Sequence, residues 1–345
     1  MRAYIGYSTA VQYWLKNGMD ETNRANVVSF RSLNDAAYTL QELTSLDLQL
    51  HGLEASMARG WPDSRRKRGK TKREVPQGEA IHVLVPKGAD SNRIEGFDRH
   101  VWSTHIPENS FCEIASDTYV STPEFAFLQM AGALTFAQTV LVGYWLCASY
   151  KLPEGGGVPL EVEPPTSVER LQTFLLGAEG CYGAKKARRA LRWVIDGARS
   201  PMEVATSMVM SLPTKYGGYG LEKPCINYKV ETTDWDSCTL DRPDRTYFEI
   251  DLYWPKKKVG VEYDGFPHLD PARIRKDKRR LNCLLVNDIK VLVVMYDQMV
   301  DDDVRDTLMH QLSKMLGAKQ RDVSDAEKDA REALKGLLFL NEFSL

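Results

Sequence analysis

The stretch Tyr247-Phe-Glu-Ile-Asp251-Leu-Tyr-Trp-Pro255-Lys-Lys-Lys258-Val-Gly-Val-Glu262-Tyr-Asp264-Gly265 decides how the C-terminal half is read. Both arms alternate with the period of two that a half-buried strand requires. Phe248, Ile250, Leu252 and Trp254 fall on one face of the first arm, and Glu249, Asp251 and Tyr253 on the other. On the second arm Val259, Val261 and Tyr263 oppose Gly260, Glu262 and Asp264. Pro255 fixes its φ and cannot donate within a ladder, so Pro255 to Lys258 is the turn. A turn centred between Lys256 and Lys257 sets Trp254 against Val259, Leu252 against Val261 and Ile250 against Tyr263. It also sets Asp251 against Glu262 and Glu249 against Asp264. Directly opposed carboxylates repel, so such pairs share a proton or hold a cation, unless the face is solvated and the charges splay apart.

Downstream, Asp270-Pro271 reads as an N-cap and first helical position, opening a basic helix that ends near Asn287-Asp288. Ile274, Leu281, Leu284 and Leu285 form its apolar stripe. Arg273, Lys276 and Arg280 form one basic face, with Arg275, Lys278 and Arg279 beside it. Residues 289–295 are a nearly continuous apolar run that suits a buried strand. Upstream, Ser200-Pro201-Met202-Glu203 opens a helix through about Ser211 with the spacing of a capping box, and Cys225 to Val230 offers a further strand. The series is helix, strand, strand, strand, helix, strand.

Those residues resemble the PD-(D/E)xK nuclease superfamily, and within it the very-short-patch-repair (Vsr) type endonucleases. The Ser-Pro-x-Glu203 helix start, Ile-Asp251-Leu, Val-Glu262-Tyr-Asp264-Gly265-x-x-His268, the Asp277-x-x-Arg280-Leu281 helix and the following apolar strand carry the resemblance, over residues 200–299. It implies a restriction-endonuclease-like mixed sheet flanked by helices, and metal-dependent phosphodiester cleavage in DNA repair or phage defence. By that resemblance Asp251 is the core metal ligand, Glu262 the second acid and Glu203 the helix-borne glutamate that assists the metal or its water, with Mg²⁺ or Mn²⁺ as cofactor. Asp264 stands where much of the superfamily places a lysine, a departure that Lys276 or Lys278 could offset. His268 is a proton-transfer group or a phosphate neighbour, and Arg273, Lys276, Lys278, Arg279 and Arg280 grip the DNA backbone. Each role has a plainer counterpart: Glu203 as a cap, His268 as a packed turn residue, Asp277 as a local ion-pair partner and the basic helix as a solvated face.

At 345 residues the chain is long enough for two domains, and 43% hydrophobic with 27% charged residues is ordinary globular composition. A net charge of −2 leaves nucleic-acid binding to local basic patches. DNA is the expected partner, with RNA as the alternative polymer. Cys112, Cys147, Cys181, Cys225, Cys238 and Cys283 form no Cys-x-x-Cys pair, which suits reduced thiols and a cytoplasmic location, and no signal peptide is evident. Residues 125–150 carry no formal charge, but Gln129, Thr135, Gln138 and Thr139 favour two packed core helices over a membrane span.

The rest of the N-terminal half reads as a short helix over 8–15, a longer one over 33–56, a basic loop over 65–73, and strands over 80–85 and 97–102. The order Ile81-His-Val-Leu-Val85, His100-Val-Trp102, Tyr119-Val-Ser-Thr-Pro-Glu124 and then apolar helix resembles the core region of AbiE-type abortive-infection antitoxins over 80–150. No winged-helix reader is legible at its start. Residues 153–165 form a turn-rich insertion or linker, and helices over 167–178 and 182–197 could bridge the halves. Asp301 to Asp303 cap a helix through Leu316, and 323–337 is a terminal helix. The expected organisation is α/β: an α+β domain over 1–180, a nuclease-like domain over 181–317 and a helical tail over 318–345. The expected activity is that of a metal-dependent DNA endonuclease; the alternative is a catalytically inactive DNA-binding regulator or antitoxin-like protein.

Overall fold

The computed structural model describes residues 2–36, 80–86, 96–153, 157–231, 247–265, 280–319 and 322–340. The chain divides into two compact units, one of Met1–Asp196 with Glu342–Leu345 and one of Gly197–Asn341. The division therefore falls after the helices expected over 167–178 and 182–197, not at 180/181. Both helices, Val168–Gly177 and Ala184–Leu191, belong to the first unit. The tail expected over 318–345 belongs to the second unit as far as Asn341, including the helix Asp325–Lys335.

In the first unit, strands β1 (Ala3–Ile5), β2 (Val27–Val28), β3 (Ile81–Val85), β4 (Phe97–Val101), β5 (Phe111–Ala115) and β6 (Thr118–Ser121) make one mixed sheet ordered β2-β5-β6-β1-β3-β4. β1 runs parallel to β6, β3 runs parallel to β4, and the other pairs are antiparallel. The uncharged run becomes two buried helices, Pro123–Ala133 and Phe136–Leu146. The polar residues that argue against a membrane span are what divide it. Thr135 caps the second helix, its Oγ1 accepting from Gln138 N–H while the Gln138 side chain accepts from Thr135 N–H. Among the described residues no helix is long and apolar enough to cross a membrane. A short pair, β7 (Tyr150–Lys151) and β8 (Leu160–Glu161), places part of the expected linker inside this unit. The helix expected over 33–56 is not present at its described beginning, where Asn34 and Asp35 form a turn and Ala36 bridges Arg2. The remainder, and the basic loop over 65–73, lie outside the described residues.

In the second unit, β9 (Cys225–Glu231), β10 (Tyr247–Trp254), β11 (Val259–Asp264) and β12 (Lys290–Met295) form a sheet ordered β12-β11-β10-β9. β10 is antiparallel to both β9 and β11, and β11 is parallel to β12. This matches the expected succession of strands. The turn is a 3-10 helix, Pro255–Lys257, closed by Lys258 at φ 51°. The expected register holds at Leu252↔Val261 and Trp254↔Val259, with Tyr253↔Gly260 between them.

Beyond Leu252 the β10–β11 ladder stops, which corrects the expected opposition of Asp251 with Glu262 and of Glu249 with Asp264. Glu249 pairs instead with Lys229 on β9, and Asp264 with Met295 on β12. The alternation also breaks there. Tyr253 is buried, stacks on Tyr228 with centroids 5.1 Å apart, and joins Phe248, Ile250, Cys283, Leu284 and Ile289 in one apolar cluster. Strict period-two geometry would put Tyr253 on the face opposite Ile250. The β9–β10 register runs through Ile250↔Tyr228 and Leu252↔Ile226, which places Asn227 at the level of Asp251. Asn227 has φ 49°, a left-handed conformation that asparagine tolerates better than most residues, so the regular extended backbone of β9 is interrupted at this level.

Candidate active site of the second unit

Charged side chains lie at the end of the β10–β11 ladder. Asp251 sits just where β11 leaves β10, and its Oδ2 accepts from Tyr263 N–H at 2.9 Å. The carboxylate thus takes the place of a lost ladder partner. Glu203 stands in the first turn of the helix Pro201–Ser211, whose residues from Glu203 onward are all buried. Its Oε1 accepts from Ser200 Oγ at 2.9 Å, and its Oε2 accepts from Arg199 N–H at 2.9 Å and from Asn227 Nδ2 at 2.8 Å. Ser200 Oγ in turn accepts from Glu203 N–H at 3.1 Å. The expected capping box is therefore shifted, with the glutamate reaching the N–H of Arg199 rather than that of the cap residue.

Burial pushes the Glu203 carboxyl above its ordinary range, opposed by the Arg199 N–H and reinforced by the negative charge of Asp251. Burial likewise raises Asp251, with Tyr263 N–H and Arg280 pulling it down and Glu249 pushing it up. The two acids, distant in sequence, therefore share one electrostatic environment. Two arginines border it. Arg199 Nη1 donates to Glu249 Oε1 at 2.7 Å. Arg280, at the start of the described helical residues 280–286, places Nη1 2.6 Å from Glu262 Oε2 and Nη2 2.5 Å from Glu262 Oε1, and also donates to the Glu249 carbonyl.

Of the residues expected at the site, Glu203 and Asp251 act on each other electrostatically, and Glu262 is engaged by Arg280. Asp264 is exposed at the end of β11. His268, Arg273, Lys276, Lys278 and Arg279 lie outside the described residues. Among the described residues the one group of three potential ligands whose donor atoms all lie within 4.8 Å of one another is His82, Asp98 and His100 of the first unit. Glu203, Asp251 and Glu262 do not converge that tightly, and Glu262 is paired with Arg280. Their hard carboxylate oxygens nevertheless fit Mg²⁺ or Mn²⁺, and a nearby cation would relieve the burial penalty on Glu203 and Asp251. Sequence reasoning missed Asn227 and Arg199. An asparagine inside a strand was the available signal for the first; nothing local marks the second.

Comparison of the chain with protein-family models, with curated proteins and with solved structures finds no match.

Proposed function

We propose that the second unit is a metal-dependent DNA endonuclease of the PD-(D/E)xK type, hydrolysing phosphodiester bonds with Mg²⁺ or Mn²⁺, in a DNA-repair or phage-defence setting. One observation carries this reading: Asp251, at the end of the β10–β11 ladder, and Glu203, in the first turn of the helix Pro201–Ser211, are each fixed by a backbone N–H, and burial raises the proton affinity of both. The strand–strand–strand–helix–strand succession and the parallel β11–β12 pair support it.

Asp251 and Glu203 are the residues to hold the cation, with Glu262 joining when Arg280 turns to an anionic ligand. When bound, such an ion supplies Lewis-acid polarisation of the phosphate and an activated water. The chain's own groups do the positioning. Tyr263 N–H fixes the Asp251 carboxylate, and Asn227 and Arg199 N–H fix that of Glu203. The Arg199 and Arg280 guanidinium groups, now on Glu249 and Glu262, have the planar fork that pairs with phosphate oxygens.

Incubation of the full chain with duplex and single-stranded DNA in Mg²⁺ or Mn²⁺ tests this reading. Cutting that Asp251→Asn abolishes while DNA binding persists is the expected result. A second reading is favoured by the Arg280–Glu262 pair and by Asp264 in place of the family's lysine: a nuclease-fold DNA-binding regulator without the chemistry. It predicts binding without cutting in both metals, and stronger retention of RNA than of DNA in the same assay would shift the partner to RNA.

A further inference from the structure

The first unit gathers a different set of ligating side chains. The parallel pairing of β3 and β4 puts His82 opposite Asp98 and Leu84 opposite His100. Side chains two residues apart share a face of a strand, so Asp98 and His100 rise on the same side as His82. His82 Nδ1 lies 2.7 Å from His100 Nε2, and Asp98 Oδ2 lies 4.0 Å from each of those nitrogens. All three residues are half-buried. Tyr7 stacks on the His100 ring with centroids 3.7 Å apart and planes 21° apart. Tyr7 is itself held at φ 53°, its N–H donating to Gln129 Oε1 at 2.7 Å. His82 is fixed through its backbone N–H, which donates to Thr9 Oγ1 at 3.0 Å. The rings are thus borne on paired strands and clamped by a neighbour, as a preorganised site needs.

We propose that His82, Asp98 and His100 bind a divalent transition-metal ion of the zinc class, through His82 Nδ1, His100 Nε2 and Asp98 Oδ2, with a coordination position left for water or an exogenous ligand. Two imidazoles and one carboxylate form a borderline donor set that prefers zinc and its neighbours to magnesium. Zinc bonds of about 2.0–2.2 Å place tetrahedral ligand atoms roughly 3.3 Å apart. The separations of 2.7 Å and 4.0 Å straddle that value, so a small ring rotation and a small inward shift of Asp98 complete the set. The 2.7 Å separation turns one nitrogen of each ring toward a common point, where the ion is held. Three protein ligands with an open position are the pattern of sites that present a metal to a ligand, whereas closed structural zinc sites use four.

The full chain, stripped with chelator, is titrated with Zn²⁺ in excess Mg²⁺ and separately with Co²⁺ as a spectroscopic probe. One bound Zn²⁺ is expected, with Co²⁺ visible bands free of thiolate charge transfer. His82→Ala and His100→Ala each weaken binding by at least about 100-fold and Asp98→Asn by about 10–100-fold. Asp251→Asn in the second unit leaves that step unchanged. Absence of Zn²⁺ binding, a thiolate band, or wild-type affinity in Asp98→Asn overturns the assignment. If the histidine variants fail to fold, the wild-type Co²⁺ spectrum and Asp98→Asn decide it.

Discussion

Arg280 Nη1 donates to Glu262 Oε2 at 2.6 Å, while its Nη2, which donates to the Glu249 carbonyl, forms an ion pair with Glu262 Oε1 at 2.5 Å. The pair is partly screened, with side-chain exposures of 29% and 14%, so it is neither a surface ion pair nor a fully buried one. It decides the resting state of the candidate site, because the second acid of the expected metal set is neutralised by a residue expected to bind DNA.

Removing that fork leaves a largely buried carboxylate without its cation. Arg280→Ala should destabilise the second unit by about 1–3 kcal/mol, below the roughly 3–5 kcal/mol of a fully buried pair. Arg280→Lys should recover only part of the loss, since an ammonium cannot make both contacts. Urea unfolding of the three proteins measures this, and equal midpoints would remove the pair from any structural role.

The raised carboxyls of Glu203 and Asp251 make stability depend on pH in a defined sense. Each binds its proton more tightly folded than unfolded, so protonation favours the native state. Their contribution is greatest below the ordinary values of 4.5 and 3.8 and is lost as pH rises through the folded values. Glu203→Gln and Asp251→Asn should each flatten that decline in unfolding midpoints taken from about pH 4 to about pH 8. An unchanged slope in both variants would contradict the assignment of burial as the cause.

Asn227 combines a left-handed backbone with two side-chain donations, to the Gly197 carbonyl at 2.9 Å and to Glu203 Oε2 at 2.8 Å. Asn227→Ala loses both donations and keeps the backbone cost, for a penalty of roughly 1–3 kcal/mol. Asn227→Gly relieves the backbone cost and should be milder by about 1 kcal/mol. Chemical denaturation of both variants checks the order, and a glycine variant as unstable as the alanine one would show that φ is unimportant there.

Gly260 faces Tyr253 across the hairpin. A Cβ at this position would lie 2.8 Å from Ile250 Cγ2 and 3.4 Å from Val291 Cγ2. Ile250 is fully buried, so it has little room to yield. Gly260→Ala should therefore cost about 1–3 kcal/mol through overpacking. A variant as stable as wild type in thermal unfolding would indicate that the sheet relaxes freely at this point.

Local chemistry in the sequence determined the elements and the hairpin register. Alternating Leu252, Trp254, Val259 and Val261, interrupted by Pro255, admit one pairing that buries apolar against apolar, and that pairing is present. Asp301 caps the helix Asp302–Leu316, its Oδ1 accepting from Val304 N–H, and Thr135 divides the uncharged run, because caps act within one turn. Those same patterns misplaced Asp251 against Glu262. A ladder extended by alternation alone cannot register that the β10–β11 pairing ends at Leu252 or that Asn227, level with Asp251 on the neighbouring strand, adopts φ 49°. Only the tertiary structure brought Glu203 within the electrostatic reach of Asp251, set Arg280 on Glu262 and stacked Tyr7 against His100 beside His82 and Asp98. Periodicity reports which face a residue takes within its own element. Which charges meet depends on how faces from separate elements pack, and there burial and Coulomb forces act between residues that no local pattern links.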